Sequence, residues 1–163
     1  MDKTDITSTI AGQTQKVIFA LSTIFFWVKG SIKVDSRFVK VETKNTILGV
    51  IPAGQKNRTF PLKNLQEANL SSSYDVKAMF FGLVILIIGF FVMKANFLIA
   101  LILMVIGIAV FCAGIKTVLV IVSAGSEYAV DAPFFEKTKM NTIKDAIDEA
   151  LAYDTDKTDL NLH

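Results

Sequence analysis

The period of the hydrophobic pattern changes twice along this chain. Ile10, Val17, Leu21, Ile24 and Val28 recur at threes, fours and sevens, while Ser8, Gln15 and Ser22 repeat every seven residues on another side. That spacing predicts an N-terminal amphipathic helix within residues 1–29. Its apolar stretch, VIFALSTIFFWV, has 12 residues, too few to cross a bilayer alone, and Trp27 and Lys29 close it. An interfacial or membrane-embedded helix is therefore expected there. The opening MDKTD lacks the net positive charge of a signal peptide, so the helix is expected to be retained. From Gly30 the period falls to two. Ile32 and Val34 share a face of SIKVD, and in RFVKVETK the residues Phe38, Lys40 and Glu42 alternate with Arg37, Val39 and Val41. NTILGVIP reads as a more continuous strand, Pro52–Arg58 as a polar turn, and Thr59–Leu62 as a further short strand. Leu65–Tyr74 then carries the chain onward.

Between residues 78 and 115 the pattern turns apolar on all sides. Ala78–Met93 has 16 uncharged residues and Phe97–Ile115 has 19, with only Lys94-Ala95-Asn96 between them and Lys77 and Lys116 at the outer ends. At about 1.5 Å per residue these helices reach roughly 24 and 28 Å, against a hydrocarbon core of about 30 Å. A transmembrane helical hairpin is the expectation, with lysine snorkelling covering the short first helix. Gly82 and Gly89 lie seven residues apart in the first run, as do Gly107 and Gly114 in the second. Each pair forms a small-residue strip for helix packing, either between the two helices or between copies. After the hairpin, TVLVIVS, AGS and EYAVDA predict a β-hairpin. Met140, Ile143, Ile147 and Leu151 stripe a closing helix over Phe135–Tyr153, and residues 154–163 form a polar tail.

Composition narrows the organisation. Of 163 residues about 125 lie outside the two runs, which suits one domain. Residues 30–77 and 116–153 each hold too few strands to close a core, so they are expected to fold together across the hairpin at 78–115. The net charge of +2 is unevenly spread: Lys29–Lys77 carries nine Lys/Arg against four Asp/Glu, and Lys116 to the end carries five against nine. Lysines flank the domain side of the hairpin while the opposite turn holds Lys94 alone, which by the positive-inside rule places the domain in the cytoplasm. Nucleic acid fits poorly, because apolar residues dilute the basic ones.

The run NTILGVIPAGQKNRTFPLKNL before the hairpin and KTVLVIVSAGSEYAVDAPFFEKTKMNTIKDAIDEAL after it resemble small bacterial membrane proteins with a pleckstrin-homology-like (PH/GRAM-like) domain, over about Gly30–Ala152. The resemblance implies an α+β membrane protein with a bent β-sheet, a C-terminal capping helix and an interrupting transmembrane hairpin, at a bacterial inner membrane. It implies binding of lipids, peptides or protein partners and no reaction.

Candidate chemistry is sparse. His163 is the sole histidine and the last residue, Cys112 is the sole cysteine, and no phosphate-loop glycine pattern occurs, so no catalytic residue, metal site or cofactor is expected. Asp145, Asp148 and Glu149 read as a solvated helix face. Lys33, Arg37, Lys40, Lys56, Arg58 and Lys77 are the candidate contacts for anionic lipid headgroups. The expected function is a membrane-anchored interaction or scaffold module, self-associating as a homo-oligomer and binding membrane lipids or a protein partner. The alternative is an oligomeric pore or transport component, lined by Ser8, Gln15 and Ser22.

Overall fold

Strand periodicity and helical stripes resolve into two sheets and three helices in a computed structural model, which describes residues 6–7, 14–47 and 51–160. Chain order is β1 (Ile6–Thr7), β2 (Gln15–Ala20), β3 (Lys29–Val34), β4 (Phe38–Ile47), β5 (Ile51–Pro61), β6 (Leu65–Tyr74), α1 (Val76–Val92), α2 (Phe97–Ala113), β7 (Ile115–Ser123), β8 (Ser126–Pro133) and α3 (Lys137–Leu160). Short 3-10 turns occupy Leu62–Asn64 and Phe134–Glu136. Strands β1 to β5 pair in sequence order as one antiparallel sheet, and β6, β7 and β8 form a second.

Alternation along each strand selects the core. Val17 and Phe19, Ile32 and Val34, and Val39 and Val41 bury one face of the first sheet, while Leu119, Ile121, Val130 and Ala132 do so for the second. Met140, Ile143 and Ile147, at helical spacing on α3, are fully buried in the same cluster. One helix stripe therefore closes both sheets, and burying these side chains, each worth about 1.5–3 kcal/mol, is the main force holding the domain together.

The α1–α2 hairpin replaces the turn of a long β-hairpin. β6 and β7 are antiparallel neighbours with Tyr74 opposite Ile115, and the chain leaves and returns between those two residues. Asp75 secures the junction: its N–H donates to the Gly114 carbonyl at 2.7 Å, and its side chain accepts from Ala78 N at 3.2 Å. Lys116 Nζ stands 3.9 Å from the Asp75 carboxylate. At the far tip Asn96 caps α2 by accepting from Leu98 N and Ile99 N.

Three expectations are corrected here. The transmembrane hairpin is not met: α1 and α2 have 17 residues each, and among the described residues no helix is long and apolar enough to cross a membrane. At about 1.5 Å per residue each reaches roughly 25 Å. The longer run lost length because Gly114 ends α2 and Ile115 already pairs in β7. The multi-pass placement at a bacterial inner membrane, with a cytoplasmic domain fixed by spanning helices, falls with it. So does the fold class built on it, a PH-like bent sheet split by a membrane-crossing hairpin, since the strands divide into a five-stranded and a three-stranded antiparallel sheet.

The N-terminal amphipathic helix is also replaced. Residues 15–20 are strand β2, paired with β3 through Val17 opposite Ile32 and Phe19 opposite Gly30. β-branched and aromatic side chains suit this pleated, half-buried setting, and β3 supplies the hydrogen-bond partners that an isolated helix would have to find within itself. The helical spacing of Leu21, Ile24 and Val28 belongs to a turn closed by Leu21 N donating to Val28 O at 2.9 Å and Val28 N to Phe25 O at 2.9 Å. Ile10 and Ser8 lie outside the described residues.

The turn expected at Pro52–Arg58 is likewise strand, part of β5. Gly54 there adopts φ +115° opposite Asn45, beside the register shift at Asn45/Thr46, a conformation that a side chain would strain. The β7–β8 connection is a two-residue turn in which both Ala124 (φ +50°) and Gly125 (φ +76°) are left-handed. Such turns favour Asn-Gly, and Ala124 bears the penalty of its Cβ. Ala124→Asn is expected to stabilise the domain by about 1 kcal/mol, read as a higher urea midpoint with an unchanged slope.

Candidate functional site

Two surfaces remain once the core is accounted for: a lysine-rich sheet face and the outside of the hairpin. The alternation that buries Val17, Ile32, Val34 and Val39 turns Lys16, Lys33 and Lys40 to the other face of the first sheet. Register aligns them, with Lys16 opposite Lys33 and Lys33 opposite Lys40. Beside this row a groove of about 300 Å³ is lined by Lys16, Lys29, Ser31, Glu42, Lys44 and Gln55. Glu42 is the one acidic side chain in that lining. It pairs with Lys40 at 2.7 Å and accepts from Ser31 Oγ at 3.3 Å. The hydrogen bond from Lys40 holds its carboxyl below the ordinary value, against an opposing effect of burial, with further lowering from the Lys40 and Lys16 charges and from Ser31. Its stabilising contribution is thus present above the ordinary carboxylate pKa and lost as the pH falls through the lowered one.

Like charges directly across a strand pair are destabilising, and here two such pairs adjoin. The face concentrates positive potential where an anion could relieve it. Reversing the central charge with Lys33→Glu would turn both repulsive pairs attractive. The variant is expected to gain between a few tenths and about 1 kcal/mol in denaturant unfolding, and to adsorb less well to anionic vesicles in low salt.

The cations proposed from the sequence do not form one site. Lys33 and Lys40 belong to this face. Lys56 and Arg58 alternate onto the opposite side of β5: Arg58 lies 5.1 Å from the centre of the Tyr128 ring, and Lys56 lines a groove of about 480 Å³ together with Phe25, Val28, Thr43, Tyr128 and Asp131. Arg37 sits in the β3–β4 turn, where its carbonyl accepts from Leu62 N at 3.0 Å, far from the hairpin. Lys77 is exposed in the first turn of α1. Lys16, Lys29 and Lys44 were missed, because their membership depends on β2 being a strand in register with β3 and β4.

Gly82, Gly89, Gly107 and Gly114 lie between the two helices or at their base, not on an outer face. A Cβ built on Gly82 would stand 2.4 Å from Phe111 N and 2.9 Å from the Gly107 carbonyl oxygen; one on Gly107 would meet Leu86 Cγ at 2.8 Å. Gly89 faces Met104 and Ala100, and Gly114 faces Met79 and Asp75. Both strips are thus used within one hairpin, so contact between copies would have to use other residues. Phe80, Phe81, Phe90 and Phe91 are exposed. Among the described residues no group of three or more His, Cys, Asp or Glu could hold a metal ion. Cys112 is part-buried in α2, and His163 lies outside the described residues. No protein-family model, curated protein or solved structure matches the chain, so the resemblance to bacterial PH-like proteins has no support from relatives.

Proposed function

We propose that this protein is a lipid-associated interaction module whose α1–α2 hairpin enters the apolar layer of a lipid surface from one side, while the two-sheet domain stays outside with its lysine face available to anionic headgroups. The observation that carries this reading is exposure of large apolar side chains all around the hairpin outside the contact between its two helices, with Phe91 76% and Leu98 66% exposed and Phe80, Phe81, Ile102, Val105 and Ile108 alongside. Soluble monomers rarely expose contiguous apolar patches beyond a few hundred Å². Removing even six such side chains from water is worth on the order of 10 kcal/mol. A second copy would cover one flank of a hairpin; a surrounding apolar phase covers all of them. Entry from one side agrees with both ends returning to adjacent strands, and it requires no crossing.

Flotation of the full chain on a density gradient tests the reading. The protein is expected to rise with vesicles of phosphatidylcholine and phosphatidylglycerol, and a variant with Phe80, Phe91, Leu98 and Val105 all changed to Glu is expected to stay at the bottom, still folded. Recovery of the unmodified chain as a monodisperse particle in lipid-free, detergent-free buffer, with none floating, would overturn it.

A further inference from the structure

We infer that the end of the two-sheet domain from which the hairpin leaves is a second lipid-contact element, an aromatic collar that seats the domain in the headgroup layer; this rests on the proposed insertion of the hairpin. Three pieces of chain bring aromatic residues to that end. Tyr74 is the last residue of β6, opposite Ile115. Phe134 and Phe135 directly follow Pro133, which pairs with Lys116. The Leu21–Val28 turn lies alongside: a groove of about 320 Å³ is lined by Ser22 and Thr23 from the turn together with Asp75, Ala78, Lys116 and Pro133 from the hairpin base. A second groove, of about 210 Å³, joins Phe26 and Lys29 to Phe135 and Lys139.

The rings form edge-on pairs, Phe25 to Trp27 at 5.5 Å, Phe26 to Trp27 at 5.2 Å and Phe134 to Phe135 at 5.6 Å. All but the part-buried Phe25 are open to the surroundings, with Phe26 61%, Trp27 52% and, beside them, Tyr74 62% exposed. The turn that carries three of them is held to the domain, because Ala20 N, just before it, donates to the buried Glu136 carboxylate at 2.9 Å. A cluster of exposed aromatic rings in water is unfavourable, and rings bearing a polar edge are most stable where an apolar layer meets a polar one. Lys29 and Lys77 share this end and supply positive charge that attracts anionic headgroups, while Lys116 and Lys139 there pair with Asp75 and Glu136. The collar is continuous with the exposed hairpin, so inserting the hairpin would bring these rings to the boundary of the apolar layer. The occupant is therefore the headgroup boundary of an anionic lipid surface.

Trp27 is the sole tryptophan, so the full chain reports on its own collar. Added to vesicles of phosphatidylcholine and phosphatidylglycerol, it should show a blue-shifted emission. Lipids brominated near the headgroup should quench it more strongly than lipids brominated near the chain end. Phe26→Ser with Phe135→Ser should weaken vesicle binding roughly tenfold while the bound fraction still floats, the loss expected for about 1.4 kcal/mol of apolar contact. If the protein floats but its emission neither shifts nor is quenched, the collar is refuted and hairpin insertion stands. If it neither floats nor shifts, both are refuted. The quenching profile of the unmodified chain decides the matter even where the double variant fails to fold.

Discussion

Replacing Gly82 by leucine is expected to pry α1 and α2 apart and remove the amide protection of the hairpin, while the two-sheet domain keeps its own. The reason is backbone-to-backbone proximity. A Cβ at Gly82 would meet Phe111 N at 2.4 Å and Phe111 Cα at 2.7 Å, main-chain atoms that no rotamer change can withdraw. Relief requires moving one helix bodily from the other, which forfeits the contacts around Gly107 as well. Overpacking of this kind costs about 3 kcal/mol or more. The domain is spared because β6 and β7 are laddered from Leu65–Ser123 to Tyr74–Ile115 independently of the helices, and the core of Ile32, Leu119, Ile121 and Ile143 makes no use of them. Hydrogen exchange read by mass spectrometry on the lipid-bound full chain checks this: peptides from Val76–Ala113 should exchange much faster in Gly82→Leu, with those from Lys29–Val34 and Ile115–Ser123 unchanged. Gly107→Leu should do the same, and the two together should cost less than their sum, since they break one shared contact. Unchanged protection across both helices would refute the packing argument.

How far the sequence revealed the architecture depends on whether local pattern or pairing decided each element. The closing helix is visible because Met140, Ile143, Ile147 and Leu151 sit at helical spacing with polar residues between them; the first three are buried together with Ala146, and Leu151 is partly buried against them. The β7–β8 hairpin was visible because a short turn separates two β-branched runs. β2 was not, since VIFA is apolar on both faces and the strand exists through its partner β3, a relation that one segment cannot display. β5 was hidden for a related reason: Pro52, Gly54 and Asn57 are turn residues by composition, yet β4 offers a ladder from Phe38–Pro61 onward and tertiary pairing overrides propensity. The lysine face inherited the first miss. Lys33 and Lys40 are legible in the sequence as strand and loop cations, but their alignment with Lys16 is a property of register. The hairpin glycines were visible as strips, and only the structure assigns them to the contact between the two helices.

Glu136→Ala is expected to be the most damaging truncation of a polar side chain in the two-sheet domain, because one carboxylate joins two distant parts of the chain. Glu136 is buried in the short turn before α3, where it accepts from Ala20 N at 2.9 Å and pairs with Lys139 at 3.1 Å. Ala20 ends β2, and its N–H faces a side chain from 116 positions further along. Truncation leaves that buried N–H without its acceptor and adds a small void, a loss of about 3 kcal/mol from a total stability of roughly 5–15 kcal/mol. Glu136→Gln separates the two contributions: an amide oxygen still accepts from Ala20 N while the charge attraction to Lys139 is gone. Because Lys139 is partly solvated, that attraction is worth at most about 1 kcal/mol. Urea unfolding of the full chain should therefore show a large drop in midpoint for Ala and a small one for Gln. The Leu21–Val28 turn, losing its tether in the Ala variant alone, should also exchange its amides faster. Equal losses for the two variants would mean that charge pairing, not the bond to Ala20, is what Glu136 contributes.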